Sequence, residues 1–585
     1  MQLVEIQIER FRGLGRMAMA ADPVTVLIGE NDCGKTSILD AIGIALSEDL
    51  LTAPPVGPLD FHRPRGRSGA ALDPIGVRLR FAERAVGDWT PAHLERLGPV
   101  ACPLRDGRSS VTLDVRIAHQ DAPPEGDGEP PRSTAAGSRA SGSARSRAAA
   151  TVAFLDPSGA AIEVDARAAH ADLRRLVPFF RFSSDRPDWT DILLERAAPL
   201  TEGAGADLAR GLEALEETLV DPSRDLAAIE SAMRALGAVM KVTRDDLAVA
   251  RRSPDRLTEL FLDRLSEVDD ALPLSRRGSG ARGLMRLLLA AALLAVRGSA
   301  VLDPLAHPIL AIEDPEAHLH PMALAFLARG LKGVRAQKLV VTHSGELLAA
   351  VETTSIRRLV RHDSEVRAKR LAPGTLAPDE LRRVSYHVKA RRGIAFFARC
   401  WLLIEGETEF WLLPAVAQEL GRDLWLEGVA CVEFAQCGIE PLVKLARDLG
   451  IEWHLLAEGD AAGRTYASAA ERLAERDPIE RRITPLGARD IEHCLWQHGY
   501  ADVFRRVGGK KLRRSSHGEN PSTVIAAAIK ASSKPQLAVT IGEAMREAGA
   551  PGVPRPLRQA IEQVVALARG TLGGDAAPRR RSWPR

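Results

Sequence analysis

Trp401-Leu-Leu-Ile-Glu-Gly-Glu-Thr-Glu-Phe410 decides how the second half of the chain is read. Four apolar residues predict a buried strand, and Gly406 predicts a turn at its end. Glu405 then sits at the strand's carboxyl edge, and Glu409 falls on the first turn of the following helix, where it can face Glu405. Two carboxylates so placed suit a hard divalent cation that keeps open positions for a phosphate. The plain alternative is a helix whose acidic first turn offsets its dipole.

Working outward, residues 429–434 read as a strand, 442–449 as a helix and 453–457 as a strand ending at Glu458-Gly-Asp460-Ala-Ala-Gly463. Strands alternating with helices predict a small parallel sheet with acids at the strand carboxyl ends, where such folds place ligands. Glu458 and Asp460, separated by a turn glycine, can share a metal or form a simple acidic turn. Further on, Gly487-Ala-Arg-Asp-Ile-Glu492-His offers another carboxylate, and Ser532-Ser-Lys534-Pro a lysine. Arg505, Arg506 and the run Lys510-Lys-Leu-Arg-Arg514 either hold DNA phosphates or form a solvated face.

The first half carries a different motif. Residues 3–12 alternate as a half-buried strand does, and Val24-Thr-Val-Leu-Ile-Gly29 reads as a buried strand. Gly29-Glu-Asn-Asp-Cys-Gly-Lys-Thr36 then fits G-x-x-x-x-G-K-[ST] between that strand and an amphipathic helix. Gly29, Asn31, Gly34 and Ser37 belong to a loop and helix start whose backbone wraps phosphates. Lys35 is expected to reach the β- and γ-phosphates, and Thr36 to hold Mg2+. Residues 75–81 and 111–117 alternate as strands of an antiparallel lobe. Residues 121–150 have too few large apolar side chains to fold and read as a flexible surface insertion. Structure resumes at 151–155 and 176–182, and 187–268 read as helices with leucines at three and four spacing. Ser279-Gly280 precedes a long apolar helix, as a phosphate-binding helix start or a simple cap. Pro308-Ile-Leu-Ala-Ile-Glu313-Asp314 puts paired acids at a buried strand's end: Glu313 for the nucleotide's Mg2+, Asp314 to polarise the attacking water. Lys338-Leu-Val-Val-Thr-His343 ends another strand, with His343 placed to sense the γ-phosphate.

The 585 residues suggest several domains, and 79 basic against 77 acidic residues make any nucleic-acid surface a local patch. Six cysteines without a CxxC pair argue against zinc and a disulfide framework and fit a reducing cytosol. The opening MQLVEIQIERFRGLG is no signal peptide, and the apolar run at 284–296 carries Arg286 and is too short for a bilayer. A cytoplasmic protein with no membrane partner is expected.

In this order the first-half motifs resemble the ATP-binding-cassette ATPases of the chromosome-maintenance and recombination-repair type, over roughly residues 1–375. The resemblance implies that Ser279 and Gly280 complete a partner subunit's nucleotide site in a homodimer. The sequence departs where Glu313 stands in place of the usual Asp and Asp314 in place of the usual Glu. Glu405, Glu409, Glu458 and Asp460 look like the two acidic motifs of a TOPRIM domain. The combination resembles the overcoming-lysogenization-defect (OLD) family of ATP-dependent nucleases, supported by the EDPEAHLHP, IEGETE, RDIEH and SKPQLA runs.

That resemblance implies an α/β chain: an ABC-type P-loop ATPase with a helical dimerisation insertion, then a TOPRIM domain with a Rossmann-like parallel sheet and C-terminal helices. The expected divisions are 1–186 and 269–378 for the ATPase, 187–268 for the arm and 379–395 for a connector. The TOPRIM core follows at 396–500, its helical part at 501–570 and a disordered tail at 571–585. ATP and Mg2+ are the implied cofactors, with Mn2+ or Ca2+ as alternatives at the second site. Glu405, Glu409, Asp460 and Glu492 then carry metals for two-metal nicking or cutting of DNA, and Lys534 steadies transition-state charge. Glu458 departs from the usual Asp. A helicase or other phage-defence partner also follows from the resemblance. A topoisomerase needs a nucleophilic tyrosine, and Tyr386, Tyr466 and Tyr500 have no distinctive setting. A primase needs a zinc-binding cysteine cluster. An ATP-gated DNA-binding scaffold with a degenerate TOPRIM domain is the remaining alternative.

Overall fold

A computed structural model describes residues 1–63, 72–119, 148–183, 303–317, 324, 336–362, 365–390, 393–474, 477–509 and 520–570. They fall into two units, Met1–His343 with Ser355–Ala368, and Ser344–Thr354 with Lys369–Arg585. The helical arm, Ser279 and Gly280, the run 510–514 and the tail lie outside the described residues.

In the first unit the described strands are β1 (Gln2–Phe11), β2 (Leu14–Ala20), β3 (Val24–Gly29), β4 (Ile75–Ala82), β5 (Cys102–Pro103) and β6 (Ser109–His119). They continue as β7 (Ala148–Leu155), β8 (Phe179–Ser183), β9 (Ile309–Glu313), β10 (Gln337–Val341), β11 (Ile356–His362) and β12 (Glu365–Lys369). All twelve join one sheet in the order β5-β6-β4-β1-β2-β12-β11-β3-β10-β9-β8, with β7 on β6. One half is an antiparallel lobe in which Leu79 faces Leu113 across β4 and β6. There the alternation buries Ile75, Val77, Leu79 and Phe81 on one face. In the other half β11, β3, β10, β9 and β8 run parallel to one another, and β9 and β10 are buried along their whole length, as strands covered on both faces are. β7 begins at Ala148, so the insertion expected at 121–150 ends before its last three residues. Leu176 closes a helix capped by Asp165, and β8 begins within the stretch 176–182 where structure is expected to resume.

The second unit holds a four-stranded sheet of β13 (Cys400–Ile404), β14 (Val429–Glu433), β15 (Glu452–Ala457) and β16 (Ile483–Pro485) in the order β14-β13-β15-β16. Every neighbouring pair is parallel. The helix Ile439–Leu449 starts three residues before the expected one and stops at Gly450, whose φ of 65° only glycine adopts readily. Cys400, Leu402 and Ile404 pack in one core with Leu412, Leu413 and Val416 of the helix Glu407–Glu419. The helices Pro521–Ala531, Lys534–Met545 and Arg555–Arg569 close that core. Among the described residues no helix is long and apolar enough to cross a membrane.

His454 is fully buried in β15, and burial pushes its imidazole down to about 4. The neutral ring is satisfied, with Nδ1 2.9 Å from the Arg481 carbonyl and Nε2 2.9 Å from the Thr484 hydroxyl. An unfolded histidine takes up a proton near pH 6.5 while folded His454 does not, so stability is lost as pH falls through that window. From about pH 7 to about pH 5 the loss is about 2 kcal/mol. Denaturant titrations of wild type and His454→Gln should differ by that much in pH slope; parallel slopes would contradict it.

Candidate nucleotide and metal sites

The phosphate loop joins β3 to the helix Lys35–Ala45 at the carboxyl edge of the parallel strands. A Cβ at Gly29 would lie 2.7 Å from the Leu359 carbonyl oxygen of the neighbouring strand, so only glycine fits. Gly34 caps the helix at φ 95°, again glycine territory. Lys35 is buried and folds back over the loop, donating to the carbonyls of Gly29 at 3.0 Å and Glu30 at 2.8 Å. The Thr36 hydroxyl bonds Oε1 of Glu313, the last residue of β9. Oε2 of Glu313 accepts Arg181 Nη2 at 2.6 Å. Arg181 also pairs with Asp40, whose other oxygen takes Arg12. Arg12 reaches Asp60 at 2.7 Å. Asn31 and Ser37 lie in the loop and on the first turn, as expected.

Asp314 follows Glu313 with φ 44°, a strained value for a residue with a side chain. Its Oδ1 is buried without a hydrogen-bond partner among the described residues, and His343 Nε2 lies 4.0 Å away. Burial, and then Glu316, raise the Asp314 carboxyl above its ordinary range. Glu316 accepts the Thr342 hydroxyl at 2.8 Å and the His343 amide, tying the end of β10 to the turn after β9.

In the second unit Glu405 follows β13, and Glu409 is buried on the first turn of the next helix. Glu458 follows β15, and Glu492 is buried in the helix Ile491–Leu495. Burial, then the charge of Asp460, raise the Glu405 carboxyl. Burial, then Glu492 and Glu405, raise Glu409. Burial followed by Glu409, Glu405, Asp490 and Glu492 raises Glu458 further. The structure therefore gathers Glu405, Glu409, Glu458, Asp460 and Glu492 at one edge, with Lys534 close enough to oppose the rise at Glu405 and Glu409. A Cβ at Gly459 would sit 2.4 Å from the Ala488 carbonyl oxygen, which fixes the turn between Glu458 and Asp460.

Several of these carboxylates take protein donors. Glu492 accepts the Thr408 hydroxyl at 2.8 Å, and Asp460 accepts the Gly463 amide at 2.7 Å. Oε2 of Glu405 is buried with no hydrogen-bond partner among the described residues. Among the described residues no three acidic, histidine or cysteine side chains stand close enough together to hold an ion as they are placed. The orphaned oxygen and the mutual repulsion nevertheless fit divalent cations, which relieve both. Sequence reading missed Arg181, Arg12 and Asp40 at the first site and Thr408 and Asp490 at the second. An arginine inside the apolar run Phe179-Phe-Arg-Phe182 was the visible signal for Arg181.

A phosphate loop in a mixed sheet, followed by a parallel sheet edged with carboxylates, resembles an ATPase head joined to a TOPRIM-like domain. The family model "Overcoming lysogenization defect protein-like, TOPRIM domain" matches residues 396–460. The chain belongs to the family described as "Protein of unknown function (DUF2813)", whose model matches residues 1–122 and 138–395. "Uncharacterized protein YbjD" of Escherichia coli (strain K12) is 32% identical over 591 residues, covering 97% of this chain and 100% of that protein. Among solved structures, the C-terminal region of the Burkholderia pseudomallei OLD protein is 20% identical, covering 29% of this chain and 99% of that one at a TM-score of 0.24. The SMC head domain from Thermotoga maritima is 12% identical over 64% of this chain and 100% of that one, at a TM-score of 0.31.

Relief of carboxylate repulsion is measurable as heat stability. In nucleotide-free buffer Mg2+ or Mn2+ should raise the melting temperature of the wild type, and Glu409→Gln should lose most of that response. In chelator the same variant should melt about 2–4 °C above wild type, the shift expected of about 1 kcal/mol. Equal responses to the ions in both proteins would contradict the site.

Proposed function

We propose that this protein is an ATP-binding, metal-dependent DNA endonuclease or nickase, serving phage defence or DNA repair as a homodimer. One observation carries the reading: Glu405, Glu409 and Glu458 share an edge with Glu492, Asp460 and Lys534, and burial followed by the neighbouring acids raises the carboxyls of those three. So many like charges, one of them with an unpaired buried oxygen, are a poor structural device and a good cation cradle.

In the proposed chemistry Glu405, Glu409, Asp460 and Glu492 hold the cations, and Glu458 adds a longer arm where a shorter acid is usual. Bound there, two divalent ions supply the charge that activates water and neutralises the phosphodiester oxygens. Glu405 acts on the reacting phosphodiester through the cation it holds, and the Lys534 ammonium steadies negative charge that grows in the transition state. In the other unit Lys35 and the loop amides bind the phosphates of ATP, and Thr36 and Glu313 hold its Mg2+. Asp314 takes a proton from the attacking water, which its raised carboxyl suits, and His343 contacts the γ-phosphate. Ser279 and Gly280 complete the site of the second subunit.

Supercoiled plasmid with Mg2+ or Mn2+ should be nicked by the wild type, and Glu405→Ala should reduce nicking at least about 100-fold. No nicking by either protein would favour the ATP-gated scaffold with a degenerate TOPRIM domain. Lys35→Ala should abolish ATP hydrolysis; an unchanged rate of phosphate release would refute the nucleotide assignment.

A further inference from the structure

Arg181 has no place in the chemistry above, yet it sits inside the first site. β8 pairs in parallel with β9, Arg181 opposite Ala311 and Ser183 opposite Glu313, so its side chain reaches the end of the strand that presents Glu313. The side chain is only 16% exposed. Nη1 pairs with Asp40 and Nη2 donates to Glu313 Oε2 at 2.6 Å. Nε–H is buried and has no acceptor among the described residues.

That orphan is informative. A guanidinium kept only to neutralise Asp40 and Glu313 has no need to bury an unpaired donor, which costs free energy. The remaining oxygen of Glu313 accepts the Thr36 hydroxyl, so Arg181 and Thr36 share one carboxylate. Thr36 closes the loop at the end where the outer phosphates of a nucleotide lie. Arg181 is thus one side chain away from the γ-phosphate position. Asp40, gripped from the other side by Arg12, fixes the guanidinium there.

We propose that Arg181 is a cis-acting arginine that reads the γ-phosphate, its guanidinium turning to donate to the phosphate oxygens when ATP occupies the loop. This rests on the nucleotide reading of the phosphate loop. A planar fork held by a carboxylate suits phosphate oxygens and stabilises the charge that spreads over them during transfer. ADP offers no such oxygens, so the contact distinguishes the two nucleotides. A purely structural arginine supports both equally.

The test is equilibrium binding of fluorescent ATP and ADP analogues with Mg2+ to the full-length chain. Arg181→Gln should weaken the ATP analogue about tenfold or more, the worth of a charge-assisted hydrogen bond, and leave ADP within about threefold. Arg181→Lys keeps the charge beside Asp40 and Glu313 but lacks the fork, and should lose preference for ATP in the same direction. If Arg181→Gln does not fold, the Arg181→Lys ratio alone decides between the two roles. An unchanged ATP-over-ADP ratio in the folded variants, or equal weakening of both, overturns the proposal while leaving the nucleotide site intact. Wild type that binds neither nucleotide, like Lys35→Ala, sinks the underlying nucleotide reading and the proposal with it.

Discussion

Carboxylates forced together at the carboxyl edge of a parallel sheet repel one another, and the second unit is built to bear that repulsion. Parallel strands deliver their ends to one edge, and each following turn or helix start adds its side chain there. Glu405 follows β13, Glu458 follows β15, and Glu409 and Glu492 come from helices opening at the same edge. The cost is met by the apolar core beneath, where Leu402, Ile404, Leu412 and Val416 are fully buried against three C-terminal helices. Destabilised groups concentrated at one edge over a well-packed core are what a binding site requires.

The first unit uses the same edge with the opposite balance of charge. Lys35, Arg12 and Arg181 are interleaved with Glu313, Asp40 and Asp60, so acids there have cationic partners on hand. The second site sets five acids against Lys534. One edge therefore suits an anion that brings its own magnesium, and the other suits bare cations. Each unit makes its own case for a phosphate chemistry.

Much of this was legible in the residues. β3 falls on Val24–Gly29 as read, because an uninterrupted apolar run ending in glycine has few other uses. Glu405 and Glu409 were legible because a strand, a turn glycine and a helix start fix their spacing. The start of the helix Ile439–Leu449 was hidden, since Gly438 rather than an apolar periodicity sets it. Arg181 was hidden for a deeper reason: its partners Asp40 and Glu313 lie 141 and 132 residues away in sequence and meet only through strand pairing. Thr408 and Glu492 join across 84 residues in the same way. Local pattern locates strands and loops, while pairings made by topology appear only once the sheet is assembled.

If the acids at the edge of the second sheet form a cradle for divalent cations, anomalous diffraction from crystals of the full-length protein grown with Mn2+ shows it most directly. Two peaks roughly 4 Å apart are expected, bound among Glu405, Glu409, Asp460 and Glu492. Ordered side chains with no anomalous density between them at saturating Mn2+ would contradict the cradle.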